Sequence, residues 1–169
     1  MTLYLVLSRH AKSSWTDPLQ EDHDRPLNAR GRDAADRIGR WLAATPYQPD
    51  LALVSSARRA CESWARISAA LPAPGRVRTL APLYHAAPET MLRALRTATG
   101  AVVALVGHNP GIGEFAARLV ASPPAHPAFA QYPTAATLVV GFDAESWAEV
   151  QFGMGVVAEF VTPRDLAPA

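Results

Sequence analysis

Cationic and hydroxyl side chains follow the first apolar run of the chain directly. Arg9 and His10 come just after the apolar residues 3–7, and Ser13 lies three positions beyond His10. A guanidinium group stays charged and offers a fork of donors that matches phosphate oxygens, whereas an imidazole can serve as a nucleophile. These residue types at this spacing indicate a site that binds and attacks a phosphoryl group.

The same side-chain types recur after two later apolar runs. Arg58 and Arg59 follow the run 51–55, and His108 and Asn109 follow the run 101–106. Each group stands where a predicted strand leads towards a predicted helix, and helix N-termini attract anions. One histidine at a strand end is more often structural than catalytic, but the repetition favours a shared site. Neighbouring cations would keep an imidazole in that site neutral and hence nucleophilic.

Strand and helix patterns alternate along the chain, and this alternation predicts how the site is positioned. Apolar patterns predict strands at residues 3–7, 51–55, 77–80, 101–106, 137–142, 149–152 and 156–162. They predict helices that begin near Asn28, Ala57, Pro88 and Ile112. The pattern indicates one α/β domain over residues 1–169, a three-layer α/β/α sandwich with a mostly parallel central sheet and an irregular tail from residue 164. In such sheets, sites gather beyond the carboxyl ends of the strands.

Bulk composition argues against several classes of protein. The chain has 169 residues, 49% of them hydrophobic, and a formal net charge of +1, which fits one domain and favours neither a nucleic-acid nor a membrane partner. No apolar run approaches the roughly 18 residues of a membrane span. The single cysteine cannot form an internal disulfide, as in a reducing cytosol. We therefore expect a cytoplasmic protein.

Other catalytic and cofactor motifs fail on spacing. A tyrosine-phosphatase loop needs an arginine six positions after its cysteine, and Ile67 stands there after Cys61. A dinucleotide fingerprint that begins at Gly111 fails because Ala116 occupies the third glycine position. No Cys/His spacing suggests zinc. We expect a site that uses neither a metal nor a cofactor.

The motifs resemble those of the histidine phosphatase superfamily, which also contains the cofactor-dependent phosphoglycerate mutases. RHAKSS is similar to the family's Arg-His-Gly-type signature, SSARRACES to its second motif and GHNPGI to its third, while DHDRPLNARG is similar to the loop and helix start after the first. The segments RHAKSSW and DHDRPLNARG are most similar to SixA-type phosphohistidine phosphatases. The resemblance implies a phosphoglycerate-mutase-like fold.

The resemblance also implies residue roles by position. His10 would be the nucleophile that becomes phosphorylated, and Arg9, Arg59 and His108 would hold the phosphoryl group. Arg59 is preferred to Arg58, which is the fallback, because the family's arginine directly precedes an alanine.

Ser13 and Asn109 are further candidates for substrate binding. The chain departs from the family pattern at Ala11, where glycine is usual, and at Ser63, where threonine is common.

The departure that bears on substrate is a missing acid. Larger family members that cleave phosphate esters carry a mid-chain carboxylic acid that protonates the leaving oxygen, but PLYHAAPET has no carboxylate at the expected place. His85 and Glu89 are the candidates for a general acid. An imidazole that leaves phosphorus can already carry its proton, so the missing acid favours a phosphohistidine substrate.

Three functions follow as hypotheses. The first is a metal-independent phosphatase with a phosphohistidine intermediate on His10, most similar to SixA-type protein phosphohistidine phosphatases. Its partner would be a phosphorylated protein or a small phosphorylated substrate. The alternatives are a small-metabolite phosphomonoester phosphatase or mutase of the same superfamily, and a non-catalytic phospho-binding module.

Overall fold

The computed structural model describes residues 1–167, and these residues form six strands and four α-helices. The strands are β1 (Thr2–Arg9), β2 (Leu51–Ser55), β3 (Arg76–Leu80), β4 (Val102–Gly107), β5 (Thr137–Asp143) and β6 (Val156–Val161). The helices are α1 (Ala29–Ala43), α2 (Arg58–Ala69), α3 (Pro88–Leu95) and α4 (Gly111–Leu119). Short 3-10 helices cover Asp22–Asp24, Ala81–Leu83, Trp147–Glu149 and Pro163–Leu166.

The strands form one sheet in the order β3-β2-β4-β1-β5-β6. The first four are parallel, and β5 and β6 continue the sheet in antiparallel pairing. Arg9 at the end of β1 is level with Gly107 at the end of β4, and Val54 of β2 pairs with Val106. Three carboxyl ends therefore share one edge, as predicted.

Two apolar layers cover the two faces of the sheet. Leu5 and Leu7 of β1 pack in the layer that contains residues of α3 and α4, whereas Val6 between them packs with residues of α1 and α2. Successive side chains of a strand point to opposite faces, so β1 is buried on both sides. The predicted three-layer α/β/α sandwich is confirmed.

The start of α1 is joined to the segment after β1. Asn28 caps the helix, and its side chain accepts a hydrogen bond from the Gly31 N–H at 2.8 Å. The carbonyl of Lys12 accepts from the Asn28 N–H at 3.0 Å. A Cβ at Gly31 would lie 2.0 Å from that carbonyl oxygen, so glycine permits the close approach. The helix predicted to begin near Asn28 thus supports the segment that follows His10.

The strand predicted at residues 149–152 is wrong. A 3-10 helix over Trp147–Glu149 precedes a turn there. Trp147 and Val150 are buried, and the indole N–H of Trp147 donates to the carbonyl of Gly100 at 2.8 Å. These apolar residues are buried without forming the backbone hydrogen bonds of a strand in the sheet.

The predicted irregular tail from residue 164 is partly ordered. Thr162 begins a 3-10 helix over Pro163–Leu166 through reciprocal hydrogen bonds with Asp165. Residues 168 and 169, the end of the predicted tail, lie outside the described residues. Within residues 1–167, no helix combines the length and apolar character that a membrane crossing requires.

Candidate active site

His10 lies at the carboxyl edge of the sheet with one ring nitrogen free of backbone contacts. Its Nδ1 lies 2.7 Å from the carbonyl oxygen of Ala11. A carbonyl oxygen only accepts, so Nδ1 carries the hydrogen and Nε2 of the neutral ring keeps its lone pair. Burial lowers the pKa of His10 to about 3, and Arg59 and Arg9 add to the decrease against the opposing effect of the Ala11 hydrogen bond. At neutral pH the ring is an uncharged nucleophile.

Arg59 faces that lone pair from the first turn of α2. Its Nε–H donates towards His10 Nε2 at 3.4 Å. Its two outer nitrogens donate to Asp22, at 2.7 Å to the backbone carbonyl and at 3.0 Å to the carboxylate. Arg58 instead is exposed and donates to Glu62 at 2.7 Å. The structure therefore brings Arg59, and not Arg58, to His10.

His108 lies beside His10 at the end of β4. The two ring centroids are 5.1 Å apart, and His108 Nε2 lies 2.7 Å from the hydroxyl of Ser55, the last residue of β2. Burial, together with His10 and Arg59, lowers the pKa of His108 to about 2, so this ring is also neutral. Its buried Nδ1 has no hydrogen-bond partner within residues 1–167.

Arg9 completes the cationic wall. It donates to the carbonyl of Tyr132 at 3.2 Å, while its buried Nε has no partner in the described part of the chain. Burial and the charge of Arg59 lower the pKa of Arg9, yet a guanidinium remains charged at neutral pH. These groups open into a cavity of about 470 Å³, here called the histidine pocket. It is lined by Arg9, His10, Lys12, Ser13, Trp15, Asp22, Arg25, Arg59, His85, His108, Asn109, Pro133 and Thr134.

Ser13 and Asn109 both line the histidine pocket, and both have protein partners. The hydroxyl of Ser13 accepts from Arg25 at 2.8 Å. The amide of Asn109 donates to two backbone carbonyls, including that of Tyr132 at 3.0 Å, and its oxygen accepts from the Gly113 N–H at 3.2 Å. Each side chain thus holds the wall of the pocket together.

The two candidate acids are in different places. His85 lines the pocket, where its Nε2 lies 3.2 Å from the Asp22 carboxylate and its ring centroid 5.1 Å from that of His108. Glu89 lies on α3, does not line the pocket and accepts from Arg118 at 2.5 Å. That hydrogen bond lowers the pKa of Glu89. The structure brings only His85 to the site.

Asp22 is a site residue that sequence reasoning missed. Its carboxylate accepts from Arg25 at 2.9 Å and 3.1 Å, from Arg59, and from the hydroxyl of Tyr84. Partial burial raises the pKa of Asp22, but the hydrogen bonds from Tyr84, Arg25 and Arg59 outweigh it and hold this pKa below its usual range. An ionised carboxylate therefore orients the cations of the pocket. Asp22 and Arg25 both lie in DHDRPLNARG, but spacing did not reveal the contact with Arg59, 37 positions later.

Ser63 connects the His10 segment to α2. Its hydroxyl accepts from the Ala11 N–H at 2.8 Å and donates to the Arg59 carbonyl at 2.6 Å. The two positions that depart from the family pattern, Ala11 and Ser63, thus contact one another.

Proteins hold metal ions mainly through clusters of histidine, cysteine, aspartate and glutamate side chains. Within residues 1–167, no group of three or more such side chains is arranged to hold an ion. The positive charge of the pocket comes from the guanidinium groups of Arg9, Arg25 and Arg59 and from the ammonium group of Lys12.

Neutral imidazoles that face arginines, at the carboxyl edge of a mostly parallel α/β sheet, are the arrangement expected of a protein of the phosphoryl-transfer class. Residues 5–84 match the model of the histidine phosphatase superfamily (branch 1). An uncharacterised protein of Mycobacterium tuberculosis (strain CDC 1551 / Oshkosh) is 34% identical over 163 residues, which cover 92% of this chain and 99% of that protein. The chain belongs to the histidine phosphatase superfamily.

Solved structures agree with this assignment. A protein of Nakamurella multipartitia, provisionally named phosphohistidine phosphatase SixA, has a TM-score of 0.80 at 25% identity, covering 96% of this chain and 97% of its own. A protein of Agrobacterium tumefaciens with the same provisional name has a TM-score of 0.77 at 27% identity, covering 99% of each chain. These similarities confirm the SixA-like fold and support a phosphatase.

Proposed function

We propose that this protein is a protein phosphohistidine phosphatase that works through a phosphorylated His10. The observation that carries the proposal is the state of the His10 ring. Nδ1 is committed to the Ala11 carbonyl, the ring is neutral, and Nε2 presents its lone pair towards Arg59. This is the state that a nitrogen nucleophile needs in order to attack phosphorus.

The first step forms the bond between His10 Nε2 and phosphorus and breaks the bond between phosphorus and the substrate's imidazole nitrogen. A substrate imidazole that is protonated on its other nitrogen leaves as a neutral ring. Arg9, Arg59 and His108 surround the pocket in which charge develops on the phosphoryl oxygens. No metal or cofactor is required, because the guanidinium groups supply the positive charge.

The second step returns His10 to its starting state. Water attacks phosphorus, the bond to Nε2 breaks, and the proton lost by water passes to the released phosphate or to solvent. Phosphorylated His10 that keeps its Nδ1 hydrogen carries a positive ring, and the Ala11 carbonyl stabilises that charge at 2.7 Å. The ring then leaves phosphorus as neutral imidazole.

The acids near the pocket favour a substrate that needs no proton donor. Asp22 is held ionised by its hydrogen bonds, and Glu89 is paired with Arg118 outside the pocket. An alkoxide leaving group would find no carboxylic acid to protonate it, whereas an imidazole leaving group that already carries a proton needs no such acid.

One observation favours a second candidate, a small-metabolite phosphomonoester phosphatase. His85 lies in the pocket and contacts Asp22, so a protonated His85 could donate to an ester oxygen. In that case, His85→Gln would remove ester hydrolysis and leave phosphohistidine hydrolysis intact.

The deciding experiment compares hydrolysis of a phosphohistidine protein with hydrolysis of a panel of phosphate esters. We expect a higher kcat/KM for the phosphohistidine protein, unchanged by EDTA. His10→Ala should abolish turnover and acid-labile labelling of the enzyme by radioactive phosphate. Full activity in His10→Ala would contradict the proposal, and binding without turnover by the wild type would indicate a phospho-binding module.

A further inference from the structure

A second groove continues from the histidine pocket. It has a volume of about 950 Å³ and shares Lys12, Pro133 and Thr134 with the pocket. Its walls come from α1, from residues 128–134 and from the 3-10 helix Pro163–Leu166. We call it the basic groove. A substrate bound in the histidine pocket can therefore extend along α1.

The charge of the basic groove is unbalanced. Lys12, Arg30, Arg37 and Arg164 line it, against the single carboxylate of Asp33, which pairs with Arg37 at 2.9 Å. Lys12, Arg30 and Arg164 are exposed and have no ion-pair partner among residues 1–167.

Two neighbouring features leave the positive charge of the basic groove without compensation. The carboxylate of Asp165, next to Arg164, lies 2.9 Å from His126 Nε2 and also forms the reciprocal cap with Thr162, so it does not pair with Arg164. The N-terminus of α1 contributes the positive end of its dipole at the same place. The basic groove therefore favours a negatively charged ligand.

The groove is long and has small side chains. Arg30 and Arg37 lie seven positions apart on one face of α1, which separates their backbones by about 10 Å along the axis. About three residues of extended peptide span that length. Between the cations, the lining includes Ala29, Ala34, Ala128, Pro133 and Pro163, with no aromatic ring. This surface fits an extended backbone better than a stacked base.

We infer that the basic groove binds an acidic segment that flanks the phosphorylated residue of a protein substrate. Lys12, Arg30 and Arg164 would receive its carboxylates. The inference rests on the proposed function, since it requires that the substrate is a protein. A small phosphorylated metabolite would fill the 470 Å³ histidine pocket and leave the groove unused.

The test uses two phosphohistidine peptides of equal length, one with glutamates and one with glutamines beside the phosphohistidine. Phosphoimidazole serves as a substrate without flanks. We expect kcat/KM to be about tenfold higher for the acidic peptide, as a few exposed ion pairs provide, and the preference should vanish in 0.5 M salt, a concentration of roughly threefold physiological ionic strength. The double variant Arg30→Gln/Arg164→Gln should lose most of the preference and keep its activity on phosphoimidazole. Arg40→Gln, exposed on the same helix but outside the groove, is the matched control.

The possible outcomes test the basic groove and the proposed phosphatase function separately. Equal kcat/KM for both peptides would overturn the groove and leave the proposed function standing. If neither peptide nor phosphoimidazole is hydrolysed, the proposed function fails, and binding alone decides the groove. That binding is measured by fluorescence anisotropy with labelled peptides that carry a stable phosphonate analogue of phosphohistidine. Tighter binding of the acidic peptide, lost in the double variant, supports the groove; equal affinity overturns it.

Discussion

The Nε–H of Arg59 points at Nε2 of His10 across 3.4 Å. Burial is the main cause that lowers the pKa of this ring, and the fixed positive charge opposite the lone pair acts in the same direction. A phosphoryl group that entered between them would meet a nucleophile on one side and a donor on the other. The Arg59 contact therefore adds to the effect of burial on the ring and provides a donor for the group that the imidazole would attack.

Arg59→Lys should lower kcat/KM for a phosphohistidine peptide by about 100-fold to 1,000-fold, the usual effect of losing one donor to a developing charge. Lysine keeps the charge but cannot reproduce the fork that reaches both His10 and Asp22. Steady-state kinetics measure the loss. Arg58→Lys, on the exposed neighbour, is the control and should stay within about twofold of the wild type, as expected for an exposed charge. Similar losses of kcat/KM in both variants would show that Arg59 contributes no more to the reaction than its exposed neighbour.

Asp22→Asn should lower kcat about tenfold, the scale seen when a supporting carboxylate is removed, while circular dichroism stays native. The variant removes the charge that orients Arg25 and Arg59. Because the folded-state pKa of Asp22 is depressed, its contribution to stability is present above its unfolded pKa and is lost as pH falls through the folded value. The difference in urea midpoint between wild type and variant should therefore shrink in acid below about pH 4. A constant difference from pH 7 to pH 2 would refute this role.

The His10 ring should show no protonation between pH 8 and pH 5 in the folded protein, since burial lowers its pKa to about 3. In the unfolded chain the same ring binds a proton near pH 6.5. The unfolded state thus binds more protons below that pH, and stability should fall as pH decreases from about 6.5. NMR of the imidazole C–H signals follows the ring directly. His10→Gln should reduce the pH dependence of the unfolding free energy, and His108, whose pKa is also lowered, accounts for part of what remains. A His10 midpoint near 6.5 would contradict the buried neutral ring.

Gly31→Ala should destabilise the fold by about 2 kcal/mol or more, as overpacking does. Helix propensity alone would predict the opposite sign, because alanine is favoured over glycine by about 1 kcal/mol within a helix. The new Cβ would lie 2.0 Å from the Lys12 carbonyl and would displace the segment after His10. Urea unfolding and kcat/KM should both decline, whereas Arg40→Ala on the exposed side of α1 should leave both unchanged. A stabilised Gly31→Ala variant would show that this close approach is absent in solution.

Local pattern predicted much of the fold and part of the candidate site. Buried strands are continuous apolar runs, and polar side chains that follow three such runs must meet when the strands are parallel and in register. This reasoning placed Arg9, His10 and His108 at one site with Arg58 or Arg59, and the family resemblance selected Arg59, which lines the histidine pocket. It failed at residues 149–152, where apolar residues bury through a 3-10 helix, because a short apolar run does not specify its hydrogen-bond partners.

Sequence patterns could not predict side-chain contacts between residues that are far apart in the chain. Asp22 reaches Arg59, Tyr84 and His85 only because the loop before α1 folds over the sheet edge. Glu89 turns to Arg118 because α3 and α4 are adjacent on one face.

The chain by itself determined its alternating elements, its two-sided core and the histidines and arginines at the strand ends, since burial and chain period are local properties of sequence. Only the tertiary structure decided the tautomer of His10, the ionised Asp22 and the basic groove beside the pocket. Those features depend on interatomic distances that sequence patterns do not give, and a hydrogen bond or a pKa changes within an ångström or two of displacement.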